Sequence, residues 1–498
     1  MFENGMFTDN FSAGVTEDGN APGYDQVQNL IKAIVAGDTK GGAVTGLNSG
    51  PSLKLESLES TLKTLSFDVK KFTLYNMIGK KKAYSTAEEY SQLDNYGSEG
   101  AYFMGEGELP ESQDSQYRRL VETVKFMGTT RQVTDVAMRV RGQIQNLILQ
   151  EEKNGMLYLA KGCNYHLFHG NESIVPKQFN GMYYNHRKGI AGTNFEYSRN
   201  ASVIDLRGKI MTEGNVDDAV NAIVNVGYGE ISDIWGPPSV FSDFAKTKYT
   251  IRRTGEADIR KGVYGNKVEQ IVTQFGDVNV QNDIFARRSI ARYTAGATSG
   301  KLHAKSPEAI TPDGSTPLAA TADATFTQFA GFNGDYFVAI AAVNEYGEGA
   351  MTALSASAVT VAATESIDMK FTITEGSYPS TGFVIYRSEK TPLTALANTP
   401  LYPVFKISKA ELTAGYDGGG AGVVRDRNFD IPNTEIAFIA ANDPDQVFAM
   451  KELSPMMKMD LALTSLTHRF VIAYYLTNIL YAPKKVAIIK NIGKVVPS

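Results

Sequence analysis

The sequence has few of the residues that form disulfide bonds in small secreted proteins or that build common enzyme sites. It contains one cysteine, Cys163, one tryptophan and five histidines in 498 residues. A single cysteine excludes an intramolecular disulfide and fits a reducing compartment. No apolar run is long enough to span a bilayer, and the first residues lack the pattern of a secretory signal. We therefore expect a protein that depends on a packed core and has no membrane partner.

An excess of positive charge is also missing. Lysine and arginine together number 49 against 54 aspartates and glutamates, which gives a net charge of -5. Dedicated nucleic-acid binders usually carry a basic footprint, so this balance argues against that class. The hydrophobic content of 43% and the charged content of 21% are ordinary for a globular protein. The length suggests two or three domains.

The candidates for chemistry are sparse. His166 and His169 are spaced by one helical turn, with Glu172 nearby, and this spacing could hold a metal. No third ligand is convincingly placed, so we interpret the two histidines as packed or exposed side chains. Cys163 lies on an apolar helix face and is interpreted as a small core residue. The adjacent acids Glu88–Glu89 and Glu151–Glu152 are interpreted as solvated carboxylates. We predict no catalytic, cofactor-binding or metal-binding residues.

A long helix is the main predicted element. A short polar strand over 129–134 precedes a helical pattern that runs from Asp135 to His169. A shorter helix that begins near Gln143 is equally compatible with the glycines in this stretch. Gly170 stands where a helix stop is expected. We expect the helix to pack on a sheet built partly from 468–492, and a charge at Ile144 or Leu147 to abolish folding. The apolar positions recur at intervals of three and four: Val140, Ile144, Leu147, Ile148, Leu159, Ala160, Cys163 and Leu167.

A different pattern precedes this helix, between residues 83 and 125. Glycines and a proline interrupt it, and acidic residues alternate with aromatic ones. Its second limb, 117–126, alternates like a strand with one solvent-facing side. A segment of this kind cannot bury a core of its own, and we expect it to lie on another subunit. The three lysines Lys80–Lys82 just before it are interpreted as solvated charge, with contact to an acidic partner surface as the alternative.

Residues 302–430 form a predicted all-β module. Short strands with turn signals and no helices between them indicate a β-sandwich. The stretch GDYFVAIAAVNEYGEG (334–349) resembles a fibronectin type III strand with its turn, and GFVIYR (382–387) fits a later strand. The absence of a Cys-Trp-Cys set excludes a disulfide-bonded immunoglobulin domain. After Asp430 the composition returns to that of the first half, so the module interrupts a larger domain. The strands predicted are 324–330, 335–345, 356–362, 366–374, 382–388 and 402–408.

Several stretches resemble the major capsid proteins of tailed bacteriophages with the Hong Kong 97 capsid fold. LESLESTLK (55–63) and KKAYSTAEEY (81–90) resemble the arm that leads into the extended loop. KFMGTTR (125–131), LFHGN (167–171) and QFNG (178–181) resemble the surroundings of the spine helix. APKKVAIIKN (482–491) is similar to a closing strand of some members. DLRG (205–208), IWGPP (234–238) and QFGDV (274–278) are similar to segments of the axial domain.

The resemblance implies an α+β fold with an inserted immunoglobulin-like sandwich. It implies an N-terminal arm over 1–77 and an E-loop over 78–128. The P-domain with the spine helix would take 129–204 and 451–498. The A-domain would take 205–301 and 431–450, and the insertion would take 302–430.

The resemblance also implies a structural role without enzyme activity. The chain would form hexamers and pentamers of a virion head that encloses double-stranded DNA without sequence-specific binding. Portal, scaffolding and decoration proteins would be further partners, and assembly would occur in the cytoplasm of a bacterial host. Two alternatives remain at this point: an encapsulin-like compartment shell and a phage tail-tube or sheath protein. Glycan binding by the sandwich is a further option.

Overall fold

A computed structural model describes most of the chain from residue 71 onward. The described residues are 71–97, 102–139, 147–190, 192–252, 268–294, 300–314, 316–390, 395–462 and 465–495. Apart from 137–139, they belong to one compact unit made of 66–136 and 147–498. The sequence pattern also predicts helices at 24–36 and 53–77, and the first of these and most of the second lie outside the described residues.

The described helices and strands alternate irregularly along the chain, as in an α+β protein. The α-helices are α1 (Thr73–Met77), α2 (Asp135–Arg139), α3 (Leu147–His169), α4 (Met182–Gly189), α5 (Asn194–Ser198), α6 (Glu213–Asn221), α7 (Pro238–Arg252) and α8 (Lys409–Ala414). The first eight strands are β1 (Lys80–Lys82), β2 (Ala87–Asn95), β3 (Gln116–Thr123), β4 (Lys125–Thr134), β5 (Val203–Asp205), β6 (Asp233–Gly236), β7 (Gln270–Thr273) and β8 (Gly276–Asn282). The next seven are β9 (Ile310–Pro312), β10 (Leu318–Ala322), β11 (Gly334–Tyr336), β12 (Val338–Asn344), β13 (Gly347–Ala353), β14 (Val359–Val361) and β15 (Glu365–Ile373). The last seven are β16 (Gly382–Ser388), β17 (Leu401–Ser408), β18 (Val423–Asp426), β19 (Glu435–Ala440), β20 (Phe448–Asp460), β21 (Thr467–Leu480) and β22 (Val486–Ile492).

A four-stranded sheet joins distant parts of the sequence in the order β1-β20-β21-β4. Strands β20, β21 and β4 run antiparallel, and β1 adds in parallel to β20. The lysines of β1 are therefore part of a sheet, although Lys80 and Lys82 remain exposed, as their interpretation as solvated charge implies. Lys80 lies 3.5 Å from Glu452, and Lys81 pairs with Asp445. The pairing partner, more than 360 residues away, cannot be read from the local charge run.

Helix α3 packs against this sheet through one face. Leu159, Cys163 and Leu167 share a core with Phe470 and Ile472 of β21. The helix ends at His169 before Gly170, as predicted. Its described part begins at Leu147, and the 140–146 stretch of the predicted helix lies outside the described residues. The expected packing on 468–492 is confirmed for β21.

The six-stranded second sheet has the order β5-β22-β19-β6-β8-β7. Strand β22 pairs antiparallel with β19 and parallel with β5. Residues 468–492 therefore do not all belong to the sheet on which the long helix packs. Strand β21 is in that sheet, and β22 is in this second sheet. Helix α6 and the turn of π-helix after it pack onto β19 and β22. The contacts come from Val216 and Val220 of the helix and Ile223 of the turn. The sequence predicts that Ser239 caps a short helix after the turn at 236–238; this is wrong, since α7 already begins at Pro238.

The module between 302 and 430 contains two larger antiparallel sheets that share one core, and a two-stranded sheet of β11 and β14. One contains β10, β15 and β18, with β9 paired to the far part of β15. The other has the order β13-β12-β16-β17. Ile367 and Met369 of the first sheet and Ile340 and Ile385 of the second lie in the same buried cluster.

Several predicted strands of this module change in the structure. The predicted strand 324–330 is a turn and loop, and β9, β10, β13 and β18 were not predicted. The prediction of no helices is also wrong, because α8 lies between β17 and β18. Its N-terminus is closed by a capping box between Ser408 and Glu411. Strand β16 has the predicted bounds.

Buried polar groups fasten the two-sheet module to the second sheet. Arg387 is fully buried, pairs with Asp426 and donates to the carbonyl of Asp430 at 3.1 Å. Asn491 of β22, with a φ of 55°, donates to the carbonyl of Phe429 at 2.9 Å. Its side-chain oxygen accepts from the amide of Ile431 at 2.9 Å. Because buried charges are costly without partners, these contacts fix the chain where it leaves the module.

Candidate functional site

The side chains considered for chemistry are buried in packing contacts. Burial raises the pKa of the Cys163 thiol well above its usual range, so the thiol stays protonated. Burial lowers the pKa of His166 to about 4 and that of His169 to about 3. The ring of His166 lies against Phe179, and His169 lies against Tyr165 and Tyr183. These rings therefore act as neutral packing groups.

The structure does not bring Glu172 to the two histidines. Its carboxylate pairs with Lys125 at 2.5 Å and is reached by the amide of Asn180. In the described part of the chain, no group of three or more His, Cys, Asp or Glu side chains could hold a metal ion. Among the same residues, no helix is long and apolar enough to cross a membrane.

The paired acids are ion-paired, which corrects their interpretation as solvated carboxylates. Glu88 lies 3.5 Å from Lys451 and accepts from the amides of Tyr84 and Ser85. Glu89 pairs with Arg119 across the hairpin. Glu151 lies 3.7 Å from Arg131, and Glu152 lies 3.3 Å from Lys458. Each pair tethers two elements, which is a structural role.

The feature that stands out is the antiparallel hairpin of β2 and β3. Its strands pair from Ala87 with Thr123 to Asn95 with Gln116. Most residues of both strands are exposed or half-buried, so the hairpin does not enclose a core. Such a hairpin is marginal by itself, and its base must be held by the rest of the molecule.

The base of the hairpin is held by partly buried ion pairs. Glu122 is 7% exposed and receives the ammonium of Lys188 from α4 at 2.6 Å. Lys125, just after β3, also donates to the carbonyl of Pro176 at 2.9 Å. The ring of Tyr90 meets that of Tyr481 edge to face at 5.4 Å. Burial, with the nearby Glu122 carboxylate, raises the pKa of Tyr90 to about 12. These contacts fix the direction in which the hairpin projects.

The tip of the hairpin is open to solvent and apolar in part. Residues 102–119 are all exposed. Tyr102 is 78% exposed, Phe103 97% and Leu109 93%. Large apolar side chains gathered on one projecting segment are typical of a surface that a partner covers. The sequence predicts that this segment lies on another subunit. It does not predict the anchors Glu122 and Lys188, because no local pattern links residues that are 66 positions apart.

Comparisons with known proteins agree with a structural role. The sequence profile described as the SU10 major capsid protein matches residues 39–330. The major capsid proteins of Staphylococcus phages S25-3 and K are each 23% identical over 477 residues, covering 90% of this chain and 91% of theirs. The capsid structure of cyanophage P-SCSP1u aligns with a TM-score of 0.43 and 8% identity, covering 90% of this chain and 96% of that one.

The profile match is the finding that decides the family. It spans more than half of the 498 residues and includes the hairpin, the long helix and most strands of the second sheet. The described geometry agrees with it, because the conspicuous surface is an exposed projecting hairpin and the candidate chemical groups are packed or paired. The chain therefore belongs to the SU10 major capsid protein family, and it is a structural protein of a phage capsid shell.

Proposed function

We propose that the chain assembles as hexamers and pentamers into the icosahedral head of a tailed phage, around packaged double-stranded DNA. The observation that carries this proposal is the hairpin, which has a tightly anchored base and an exposed tip. Rings of identical subunits need heterologous contacts, in which a projecting segment of one copy meets a different surface on the next. The tip from 102 to 115 has the exposure and apolar content for such a contact.

We further propose a Hong Kong 97-type fold for the chain. The N-terminal arm takes 1–77, and the E-loop takes 78–128. The P-domain takes 129–204 and 451–498, and the A-domain takes 205–301 and 431–450. The packing of α3 on the four-stranded sheet supports the P-domain. Because β22 pairs with β19 and β5, we propose one change to these bounds: 486–492 belongs with the A-domain and not with the P-domain.

The module over 302–430 is proposed to be an immunoglobulin-like insertion. Its two antiparallel sheets and their shared core support this assignment. Portal, scaffolding and decoration proteins are proposed as further partners. We place the mature protein in the virion and its assembly in the cytoplasm of the bacterial host. We propose no enzyme activity and no sequence-specific contact with DNA.

Electron microscopy of the expressed chain tests the proposal. We expect closed shells built from rings of six and five subunits. Tubes would point to a tail protein, and shells with an enzyme cargo in infected cells would point to a compartment protein. A chain that stays monomeric under every assembly condition, and that is missing from purified virions, would contradict the proposal.

A further inference from the structure

Three side chains with complementary chemistry meet where the chain leaves β22 and passes the start of β19. Lys494 follows β22, Asn433 precedes β19, and Glu435 is the first residue of β19. The two strands pair antiparallel with Glu435 opposite Ile492, which brings these residues together. The Nζ atom of Lys494 donates to Oδ1 of Asn433 at 2.7 Å and lies 3.6 Å from Oε1 of Glu435. An amine, a carboxamide and a carboxylate are therefore in contact.

The carboxylate of Glu435 is buried and held in place. It has no exposed surface, and its Oε2 atom accepts from the backbone amides of Arg288 at 2.8 Å and Ser289 at 3.4 Å. Its Oε1 atom accepts from the hydroxyl of Ser289, and that hydroxyl accepts from Nζ of Lys494. The carboxylate can thus take a proton from the amine directly or through this hydroxyl.

The carboxamide of Asn433 is oriented by contacts on both of its polar atoms. Its oxygen faces Lys494, and its Nδ2 atom donates to the exposed carboxylate of Glu389 at 2.7 Å. The backbone of Asn433 has a φ of 57°, a left-handed conformation that asparagine adopts more readily than most residues. The amine therefore meets the carbonyl side of the group, while the nitrogen that could leave lies beside an exposed side chain.

The amine of Lys494 is partly withdrawn from water. Burial lowers the pKa of Lys494, and the nearby Glu435 carboxylate acts in the opposite direction. A lowered pKa makes the uncharged amine easier to reach at neutral pH, and only the uncharged form is a nucleophile.

We propose that Lys494 and Asn433 of the same subunit form an isopeptide bond between Nζ and Cγ, with Glu435 as the proton acceptor. The step needs no co-reactant. Glu435 takes one proton from the ammonium of Lys494, and the free amine attacks Cγ of Asn433. The bond from Cγ to Nδ2 breaks as Nδ2 takes a second proton from Nζ. The proton held by Glu435 then passes to the departing ammonia, which leaves as ammonium.

The bond would close residues 433–494 into a covalent loop. This loop contains β20 and β21 of the four-stranded sheet and β19 and β22 of the second sheet. The single cysteine leaves the chain without an intramolecular disulfide, and a covalent link of another kind would restrict the unfolded chain in the same way. The inference goes beyond the proposed function, because it concerns one subunit and holds or fails whether or not shells form.

The mass of the folded, full-length chain tests the proposal. After incubation at neutral pH, we expect the wild type to be lighter than its sequence by one ammonia molecule. Trypsin should release 428–451 joined to 491–498 as one branched peptide, because acylated Lys494 is no longer a cleavage site. A wild-type chain that keeps the full mass of its sequence would overturn the proposal.

Two lysine variants show where the ammonia is lost. Lys494→Arg keeps the positive charge but removes the amine, so we expect the full mass of its sequence. The matched control is Lys484→Arg, at a lysine whose side chain is 70% exposed, and it should lose ammonia as the wild type does. A loss that persists in Lys494→Arg would indicate an asparagine that has cyclised onto its own backbone, and it would overturn the proposal.

Glu435→Gln tests the assigned proton acceptor. Glutamine has a similar shape but cannot take the proton, so we expect the rate of linkage to fall by about 100-fold or more. Circular dichroism and the urea midpoint show whether the variant is folded. A folded variant that links as fast as the wild type would overturn the role of Glu435. If it does not fold, the wild-type mass and Lys494→Arg still decide whether the bond forms.

Discussion

The long helix α3 and the hairpin of β2 and β3 are neighbours along the chain and differ in almost every physical respect. Leu159, Cys163 and Leu167 of the helix are at most 2% exposed, whereas the hairpin has one buried side chain in β3 and none in β2. The helix obtains its stability from apolar burial. The hairpin is held by polar contacts at its base. The comparison shows a division between a segment that stabilises the subunit and one whose side chains stay exposed on it.

The largest effect on the free energy of unfolding is expected inside the helix core. Leu167→Asp places an unpaired carboxylate in a fully buried site and should cost about 4 kcal/mol or more. We expect insoluble or unfolded protein. The control is Leu149→Asp on the same helix, where the side chain is 60% exposed and the change should be small. Urea unfolding of both variants checks this, and a folded Leu167→Asp chain would refute the packing of α3.

This test replaces the two sites named from the sequence alone. Ile144 lies outside the described residues, and Leu147 is half-buried at the start of α3. A charge at Leu147 is therefore expected to weaken the fold without abolishing it. The periodic pattern identified the correct face, but the depth of burial along that face depends on β21, which lies 300 residues further on.

A smaller effect is expected at the junction of α4 with β22, where acid should weaken the fold. His186 is fully buried, with Nδ1 3.0 Å from the hydroxyl of Tyr197 and Nε2 3.0 Å from the carbonyl of Val486. Burial lowers the pKa of His186 to about 4. The unfolded chain takes up this proton near pH 6.5 and the folded chain only near 4, so stability falls as the pH falls through that window.

Lowering the pH by two units in this window should reduce the free energy of unfolding by about 2 kcal/mol through His186 alone. Urea midpoints of the wild type and of His186→Gln at pH 6.5 and 4.5 measure it. We expect the variant to be less stable at pH 6.5 but to lose less on acidification. His468→Gln, at an exposed histidine, should keep the wild-type pH dependence. Equal pH dependence in all three proteins would contradict a neutral, buried His186.

The parts that sequence could predict are those determined by neighbours along the chain. The end of α3 just before Gly170 and the bounds of β16 follow from local periodicity and turn residues. Strand β1 could not be found this way, because three consecutive lysines form a strand only through pairing with β20. The predicted strand at 324–330 failed for the same reason, since its alternating residues find no partner strand and form a turn.

The candidate surface was predicted in outline only. The glycine-rich, acidic and aromatic composition indicated a segment that meets another subunit. The anchors of its base, Glu122 and Lys188, required the fold. They bring together a strand and a helix whose residues are 66 positions apart in the sequence.

A still smaller effect on stability is expected in the middle of the hairpin. Arg119 pairs with Glu89 across the strands, and their side chains are 71% and 45% exposed. Exposed ion pairs contribute little, so Arg119→Ala should cost about 0.5 kcal/mol or less. A double-mutant cycle with Glu89→Ala measures the coupling, with Lys188→Ala at the buried Glu122 as the contrasting case. A coupling above about 1 kcal/mol for the exposed pair would mean that the hairpin is more rigid than its burial suggests.

The smallest effect on folding is expected at the tip, and there the comparison between the two regions becomes sharpest. Phe103→Ser/Leu109→Ser changes two side chains that are 97% and 93% exposed, so the unfolding midpoint of the subunit should not move. Assembly should suffer, because the same side chains would be buried against a partner. Sedimentation and electron microscopy measure the yield of shells, and the unfolding midpoint serves as the internal control. Asn95→Ser, within the hairpin but away from the tip's apolar side chains, should leave both quantities unchanged. A tip variant that assembles normally would show that exposure at the tip is not a sign of docking. The role assigned to the hairpin in this comparison would then be wrong, while the role of the helix would stand.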